Sequence, residues 1–192
     1  AAFALPILNH LGQRNRKAVS QRPFVLVLAP TRELAIQISN SFSTYGKHLK
    51  LRQALVYGGV GQATQVRAMN RGAHILVATP GRLLDLMDQG HINLAQIEMV
   101  VLDEADRMLD MGFLPDVKRI LSRLPRKRQT FFYSATMSPT IVDLAKRMLT
   151  QPVNVKIQSK SASVDTIEQK VLFLRRDQKQ ESLRSIVAAE DA

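Results

Sequence analysis

Short apolar runs alternate with amphipathic stretches along most of this chain, and no other feature constrains its fold as strongly. Runs of four to eight apolar or β-branched residues are typical of strands, and apolar residues at helical spacing are typical of helices. The predicted strands are residues 24–29, 51–57, 75–78, 99–102, 130–133 and 153–157. The predicted helices are residues 1–11, 33–48, 62–71, 80–89, 114–124 and 139–149. This alternation predicts an α/β fold, a mostly parallel sheet flanked by helices with right-handed crossovers.

The run at residues 99–102 is apolar throughout and stops at Asp103, Glu104 and Asp106. A strand of that composition is typical of a parallel sheet buried on both faces, and ligands bind at the carboxyl ends of such strands. Three carboxylates at a buried strand end are unfavourable unless a cation neutralises them, which favours a metal-bound phosphate there. The simpler alternative is that these acids cap the next helix, where negative charge is favoured.

Polar motifs come directly after five of the predicted strands, and parallel strands bring such residues to one edge of the sheet. The motifs are Pro30-Thr31-Arg32-Glu33, Gly58-Gly59, Thr79-Pro80-Gly81-Arg82, Asp103-Glu104-Ala105-Asp106 and Ser134-Ala135-Thr136. Taken singly, Thr31 and Thr79 are explained as helix caps and the glycine pair as a turn. Taken together, helix N-termini and the charges of Arg32 and Arg82 favour binding of a sugar-phosphate backbone.

Charge and composition narrow the range of partners. The 192 residues include 27 Lys and Arg against 16 Asp and Glu, and the formal net charge of +11 favours a polyanion. Aromatic residues make up 5%, too few for a platform that stacks successive bases. The absence of Cys excludes disulfides and thiolate zinc sites, and no apolar run is long enough to cross a membrane. We expect a cytoplasmic protein with one main hydrophobic core.

Other chemistries fit the residues less well than phosphoryl transfer. Gly59-Val60-Gly61 comes after a strand, but Thr64 stands where a dinucleotide fingerprint needs its third glycine. No Gly-x-Ser-x-Gly motif surrounds Ser134, so a serine nucleophile is not expected. Glycoside hydrolysis by paired carboxylates would leave the basic motifs without a purpose. In phosphoryl transfer, Asp103 fits the role of a Mg²⁺ ligand and Glu104 that of a group that orients the attacking water.

The five motifs, in this order and spacing, resemble the first RecA-like domain of a DEAD-box ATP-dependent RNA helicase. The resemblance covers nearly the whole chain. It includes an extension of the first motif to Pro30-Thr31-Arg32-Glu33-Leu34-Ala35-Ile36-Gln37. Residues 107–113, Arg107-Met108-Leu109-Asp110-Met111-Gly112-Phe113, are similar to the bacterial RhlE-type subgroup.

The resemblance implies ATP and Mg²⁺ as cofactors, and RNA as a partner held through its backbone with little sequence specificity. It implies that Asp103 coordinates Mg²⁺ through water and that Glu104 positions or activates the water that attacks the γ-phosphate. Asp106 would bond to Ser134 and Thr136 and so link the nucleotide site to domain closure. The RNA-binding residues implied by the resemblance are Pro30, Thr31, Arg32, Glu33, Gly58, Gly59, Thr79, Pro80, Gly81 and Arg82.

The sequence departs from the family pattern because it contains no Gly-x-x-x-x-Gly-Lys-Ser/Thr phosphate loop. We expect residues 1–157 to form an N-terminal RecA-like domain that lacks the phosphate-loop strand, with a gap in the sheet beside the strand that carries Asp103. We expect residues 158–165 to be a linker. Residues 166–192, with a strand over 167–174 and a helix over 178–189, are expected to begin a second RecA-like domain.

Two hypotheses of different classes are consistent with these expectations. The first is an ATP-driven RNA-remodelling enzyme of which this chain is a part, and these residues alone are then expected to be inactive. The second is a non-catalytic RNA-binding or interaction fragment, and a DNA-directed relative is a lesser option. A phosphate loop upstream of Ala1 would favour the enzyme, and its true absence would favour the binder.

Overall fold

The computed structural model describes residues 1–14, 16–157 and 171–190. The chain divides into two units, Ala1–Pro152 and Val153–Ala192. The strands of the first unit are β1 (Val25–Leu28), β2 (Gln53–Val56), β3 (Ile75–Ala78), β4 (Met99–Leu102) and β5 (Gln129–Phe132). Its helices are α1 (Ala4–Arg14), α2 (Arg32–Tyr45), α3 (Ala63–Asn70), α4 (Pro80–Asp88), α5 (Ala105–Asp110), α6 (Leu114–Ser122) and α7 (Pro139–Met148).

The five strands form one parallel sheet in the order β2-β3-β1-β4-β5. Val25 lies beside Ile75 on one side and Met99 on the other, and the same register continues to Gln53 and Gln129. The first residues of all five strands therefore form one row across the sheet, and the residues just after the strands form a second row at the opposite edge. The prediction of a RecA-like α/β sheet flanked by helices is confirmed.

The core has two halves because strand side chains alternate between the faces of the sheet. On one face, Val25 and Val27 pack with the apolar sides of α1 and α2. On the other face, Leu26 and Leu28 pack with residues of α3 to α7. All four of these β1 side chains are fully buried, as expected for a central strand of a parallel sheet. The sheet is therefore the middle layer of three, and its two ends are left for loops.

The predicted gap beside the strand of Asp103 is absent. β4 pairs with β1 on one side and with β5 on the other, so it lies inside a continuous sheet. Among the described residues, it is β5 that has a neighbour on one side only at this end of the sheet. The prediction was wrong because the apolar pattern of a strand shows that it is buried but does not show which strands lie beside it.

The second unit departs from its predicted strands. Residues 153–157 form no strand, and their apolar side chains Val153, Val155 and Ile157 are exposed. No strand of the described residues pairs with this stretch, and a β-branched sequence without a ladder partner does not make a sheet. Residues 171–174 are also irregular. The rest of the predicted strand at 167–174 and the whole predicted linker at 158–165 lie outside the described residues.

The helix predicted over residues 178–189 is present as α8 (Lys179–Glu190), after a short 3₁₀ turn at Arg176–Gln178. In the first unit, the sequence pattern did not predict α5, a helix of six residues that is too short to show periodicity. Within the described parts of the chain, no helix combines the length and hydropathy that a membrane crossing requires.

Candidate functional site

The register of the sheet brings the five polar motifs to one edge, which we call the carboxyl edge. The residues immediately after the strands are Ala29, Tyr57, Thr79, Asp103 and Tyr133. Backbone hydrogen bonds align them: Asp103 N–H donates to Leu28 at 3.0 Å, Thr79 N–H to Val56 at 2.9 Å, and Tyr133 N–H to Leu102 at 2.8 Å. The motifs therefore begin at the same level across the sheet.

Glu104 occupies the tight corner between β4 and α5. Its backbone is left-handed, with φ 50° and ψ 54°, a conformation that disfavours residues other than glycine by roughly 1–2 kcal/mol. The corner is stabilised because Glu104 N–H donates to Asp103 Oδ1 at 3.1 Å and Ala105 N–H donates to the Tyr133 carbonyl at 3.0 Å. Two adjacent carboxylates are thus held at the end of a central strand by a strained turn, an arrangement typical of functional sites.

The ionised form of Asp103 is disfavoured in this position. Burial raises the pKa of the Asp103 carboxyl, and the negative charge of Glu104 adds to the rise, while the hydrogen bond from Glu104 N–H partly offsets it. Burial and the charge of Asp103 also raise the pKa of the Tyr133 phenol. A cation beside Asp103 would remove this unfavourable electrostatic energy.

The donor set fits magnesium bound together with a phosphate ligand. Among the described residues, no group of three or more His, Cys, Asp or Glu could hold a metal ion by protein ligands alone. Mg²⁺ takes oxygen ligands, keeps several waters, and is commonly held by one or two carboxylates plus substrate phosphates. Asp103 supplies a carboxylate of this kind, half-buried at a strand end.

Asp106 links the ends of β4 and β5. Its Oδ2 accepts hydrogen bonds from Thr136 N–H at 2.8 Å and from Thr136 Oγ1 at 2.9 Å. Partial burial acts to raise the pKa of the Asp106 carboxyl, but the bonds from Thr136 and from Arg107 N–H outweigh it and lower that pKa. Of the two predicted partners of Asp106, Thr136 makes the direct hydrogen bonds, whereas Ser134 Oγ donates to the Thr136 carbonyl at 2.7 Å and adds a smaller contribution to the low pKa of Asp106.

The glycine pair forms a turn that glycine favours. Gly59 has φ +79°, and nothing lies within 4 Å of the space a side chain would fill at either Gly58 or Gly59. The positive φ explains the residue type at Gly59, and the open space leaves bare backbone accessible to a ligand.

Gln65 and Arg82 anchor this glycine turn. The buried Gln65 amide donates to the Tyr57 carbonyl at 3.0 Å and accepts from Tyr57 N–H at 3.2 Å. Arg82 Nη1 donates to the Val60 carbonyl at 3.0 Å. Sequence reasoning missed Gln65, although a glutamine among the inward-facing positions of an amphipathic helix is a signal that could have singled it out.

Several of the predicted RNA-binding residues also make contacts with other residues of the chain. Thr31 caps α2, since its Oγ1 accepts from Leu34 N–H at 3.2 Å. Arg32 lies over the Tyr57 ring, 4.9 Å from its centroid. Arg82 also pairs with Asp85 at 3.5 Å. Thr79 precedes α4 in an extended conformation but makes no side-chain cap, so its predicted capping bond is absent.

The other predicted residues lie at the same edge. Pro30 is buried after β1, Glu33 is exposed in the first turn of α2, and Pro80 and Gly81 begin α4. The structure also adds a partner for Glu104 that the motif does not suggest. Arg107 Nη1 donates to Glu104 Oε2 at 3.2 Å.

Fold and site together define a RecA-like domain with an Asp-Glu pair at the end of a central strand. The DEAD/DEAH box helicase family model matches residues 1–144. The chain therefore belongs to the DEAD/DEAH box helicase family. The assignment to an RhlE-type subgroup stays a prediction.

Curated relatives agree with the family model. The chain is 41% identical over 187 residues to DEAD-box ATP-dependent RNA helicase 20 of Oryza sativa subsp. japonica, covering 97% of this chain and 38% of that protein. It is 44% identical over 158 residues to ATP-dependent RNA helicase DBP2 of Candida glabrata, covering 82% of this chain and 29% of that protein. The chain thus spans well under half the length of these relatives.

Proposed function

We propose that this chain is part of an ATP-dependent RNA helicase that couples the binding and hydrolysis of Mg-ATP to local unwinding or remodelling of RNA duplexes. The observation that carries the proposal is the β4–α5 corner, where a strained turn holds Asp103 and Glu104 together at the carboxyl edge. The family membership and the names of the relatives support the same reaction and the same substrate.

Asp103 would hold the magnesium ion through water, and Glu104 would orient the attacking water through a hydrogen bond and activate it by accepting its proton. Bound Mg²⁺ supplies neutralisation of the phosphate charge in this chemistry. The raised pKa of Asp103 is in keeping with a carboxylate placed to face a cation. Arg107 forms an ion pair with Glu104 and lies beside the position proposed for the attacking water.

Asp106 would act in coupling. Its two bonds to Thr136 tie the loop after β5 to the helix that begins beside the Asp-Glu pair. A displacement at the nucleotide site would therefore move the Ser134–Thr136 loop with it. This link supports a role in domain closure, because the loop cannot shift alone without breaking charge-assisted hydrogen bonds.

The remaining carboxyl-edge motifs would hold the RNA backbone. Bare backbone at Gly58 and Gly59 and the N-terminus of α2 offer N–H groups to phosphate oxygens. Arg32 and Arg82 would contribute positive charge, and their contacts with Tyr57 and Val60 would keep the motifs in one arrangement. Contacts of this type carry little sequence information, so RNA would be bound with little sequence specificity.

We further propose that residues 1–157 belong to an N-terminal RecA-like domain, 158–165 to a linker and 166–192 to the start of a second one. The division of the chain into two units supports the separation into two parts, although it falls after Pro152, before the proposed boundary. Residues 1–192 alone would not hydrolyse ATP, because they contain no phosphate loop to cradle the β- and γ-phosphates. The intact protein would act in the cytoplasm.

The decisive experiment replaces Glu104 in the full-length protein. We expect Glu104→Gln to lower the RNA-stimulated kcat for ATP hydrolysis by about 10²–10⁴-fold, because the amide cannot accept a proton from water. Glu98→Gln, the same chemical change at the opposite edge of the sheet, is the matched control and should leave kcat unchanged. DNA in place of RNA should stimulate less.

Three results would contradict the proposal. Full activity of Glu104→Gln would remove Glu104 from the reaction. Absence of ATP hydrolysis by the full-length wild type, with RNA binding retained, would favour the non-catalytic RNA-binding alternative. Equal stimulation by DNA would show a less selective substrate.

A further inference from the structure

The connections that precede the strands are strongly basic. They meet at the edge of the sheet opposite the site, which we call the amino edge. Every Asp, Glu, Lys and Arg in these connections is a cation except Glu98. None of the five polar motifs lies here. The cations are Arg16, Lys17, Arg22, Lys47, Lys50, Arg52, Arg71, Arg123, Arg126, Lys127 and Arg128; Arg14 and Asp88, the last residues of α1 and α4, border these connections.

The strand register aligns these connections into one row. Arg52, His74, Phe24, Glu98 and Arg128 immediately precede β2, β3, β1, β4 and β5. Backbone hydrogen bonds of 2.8 to 3.0 Å join the row from strand to strand. The N–H groups of His74, Phe24 and Glu98 donate to the carbonyls of Arg52, His74 and Phe24, respectively. At about 4.8 Å between strands, the row spans roughly 19 Å. That length covers several consecutive base pairs of a nucleic-acid duplex.

The loops behind the row pack on one another, so the surface is held in one shape. Gly72 lies so close to Val19 that a side chain there would approach the Val19 backbone to 3.0 Å. Gln21 N–H donates to the Met69 carbonyl, and Asn93 N–H donates to the Gln21 carbonyl, each at 2.8 Å. A binding surface that is already ordered loses less conformational entropy when it binds.

Some of these basic side chains, and the neighbouring Arg14, already form ion pairs or hydrogen bonds within the chain. Arg14 and Arg16 pair with Glu98, and Arg123 pairs with Asp88. Arg128 donates to the Pro125 carbonyl at 2.7 Å. The others form no ion pair with a described carboxylate, and all of them are exposed. These residues, which we call the amino-edge basic surface, are Lys17, Arg22, Lys47, Lys50, Arg52, Arg71, Arg126 and Lys127.

We propose that the amino-edge basic surface is a second RNA-binding surface, which contacts the phosphate backbone of a duplex segment outside the carboxyl edge. The choice of RNA among polyanions rests on the proposed function, which supplies RNA to the molecule. An anionic membrane is a less suitable partner, because protein surfaces that bind membranes insert large apolar side chains into the lipid. Among the large apolar side chains of the basic connections, Leu49 is 37% exposed, and the other described ones are less exposed. The site would raise affinity without reading sequence.

The experiment uses the full-length protein and a blunt RNA duplex, with affinity measured by fluorescence anisotropy over a range of salt concentrations. The test variant is Lys50→Glu/Lys127→Glu, which alters both ends of the row. The matched control is Lys118→Glu/Lys146→Glu, with the same change of net charge at exposed positions of α6 and α7. We expect the test variant to weaken binding about tenfold or more and to lower the salt slope by about 2, and the control to change affinity less than about twofold.

Each other outcome overturns the inference. Equal losses in the two double variants would show an effect of overall charge. If Arg32→Ala weakened RNA binding and the test variant did not, all RNA binding would lie at the carboxyl edge. The proposed function would then be unaffected. No RNA binding by the wild type would contradict the proposed function itself. Loss of binding to phosphatidylserine vesicles by the test variant, with RNA affinity unchanged, would assign the surface to a membrane.

Discussion

The two edges of the sheet are built on the same five strands and are organised differently. At the carboxyl edge, both acids and bases are present, and Glu104 and Gly59 adopt left-handed backbone conformations. At the amino edge, cations dominate, and many of them have no carboxylate partner among the described residues. Chemistry at a reacting phosphate depends on atoms held in defined positions, whereas attraction of a polyanion depends mainly on summed charge. This difference explains why only the carboxyl edge displays recognisable motifs.

At each edge, nevertheless, a buried polar side chain makes hydrogen bonds to two backbone groups. Gln65 pairs with both backbone groups of Tyr57 at the carboxyl edge. His74 does the equivalent at the amino edge, where its Nδ1 accepts from Arg52 N–H and its Nε2 lies 2.9 Å from the Arg16 carbonyl. The bond to Nδ1 requires the ring proton to be on Nε2, which therefore donates to that carbonyl.

The largest effect expected from this comparison comes from removing these two side chains. Gln65→Leu and His74→Leu should each lower the free energy of unfolding by about 1–3 kcal/mol, because each leaves buried or partly buried backbone groups unpaired. Only Gln65→Leu should also raise the RNA concentration needed for half-maximal ATP hydrolysis, since it releases the glycine turn. Urea unfolding and ATPase titrations of the full-length protein measure the two effects.

Gln62→Leu is the control for that prediction. Gln62 immediately precedes α3, the helix that contains Gln65, and it pairs with Gln89 near the surface. The loss of its side chain should therefore change the free energy of unfolding much less. If Gln65→Leu and Gln62→Leu were equally stable and equally active, Gln65 would have no role in holding the turn. An equal effect of His74→Leu on the RNA titration would remove the functional distinction between the edges.

A smaller contrast is expected between the acids of the two edges. Asp103→Asn should raise stability near neutral pH, because the raised pKa of Asp103 makes its ionised form unfavourable in the folded protein. That gain should disappear as the pH falls below the ordinary value of 3.8, where the carboxyl is protonated in both states. Glu98→Gln should instead lower stability by about 0.5–1 kcal/mol, since it removes exposed ion pairs.

Thermal unfolding of both variants from acid to neutral pH measures this contrast. Lower stability of Asp103→Asn at neutral pH would show that the Asp103 charge is already compensated within the chain. The two carboxylates would then differ in position but not in energetic role.

The smallest effect is expected at Arg107. Its ion pair with Glu104 is exposed on both sides, so Arg107→Gln should change the free energy of unfolding by less than about 0.5 kcal/mol. Arg14→Gln at the amino edge is the counterpart and should behave alike. A change above 1 kcal/mol in chemical denaturation of Arg107→Gln would show that the strained corner at Glu104 depends on this pair.

Much of the fold and the location of the site could be predicted from local patterns. The apolar runs at β1, β3 and β4 and the helical spacing of α4 and α7 are visible in the sequence because burial acts on consecutive residues. Parallel strands have their carboxyl ends at one edge, so the position of Asp103 beside the other motifs was predictable too. The exposed stretch at 153–157 shows the limit, since its β-branched residues have the composition of a strand and no partner among the described residues.

The alternating elements, the parallel sheet and the set of motifs at its carboxyl edge could be inferred from sequence alone, because these depend on residue type and spacing along the chain. Three features became visible only in the folded structure: which strands lie beside β4, that Thr136 makes the direct hydrogen bonds to Asp106, and that Gln65 holds the glycine turn. The tertiary structure also gathered scattered lysines and arginines into one basic surface. Those features depend on contacts between residues far apart in sequence, and no local pattern specifies them.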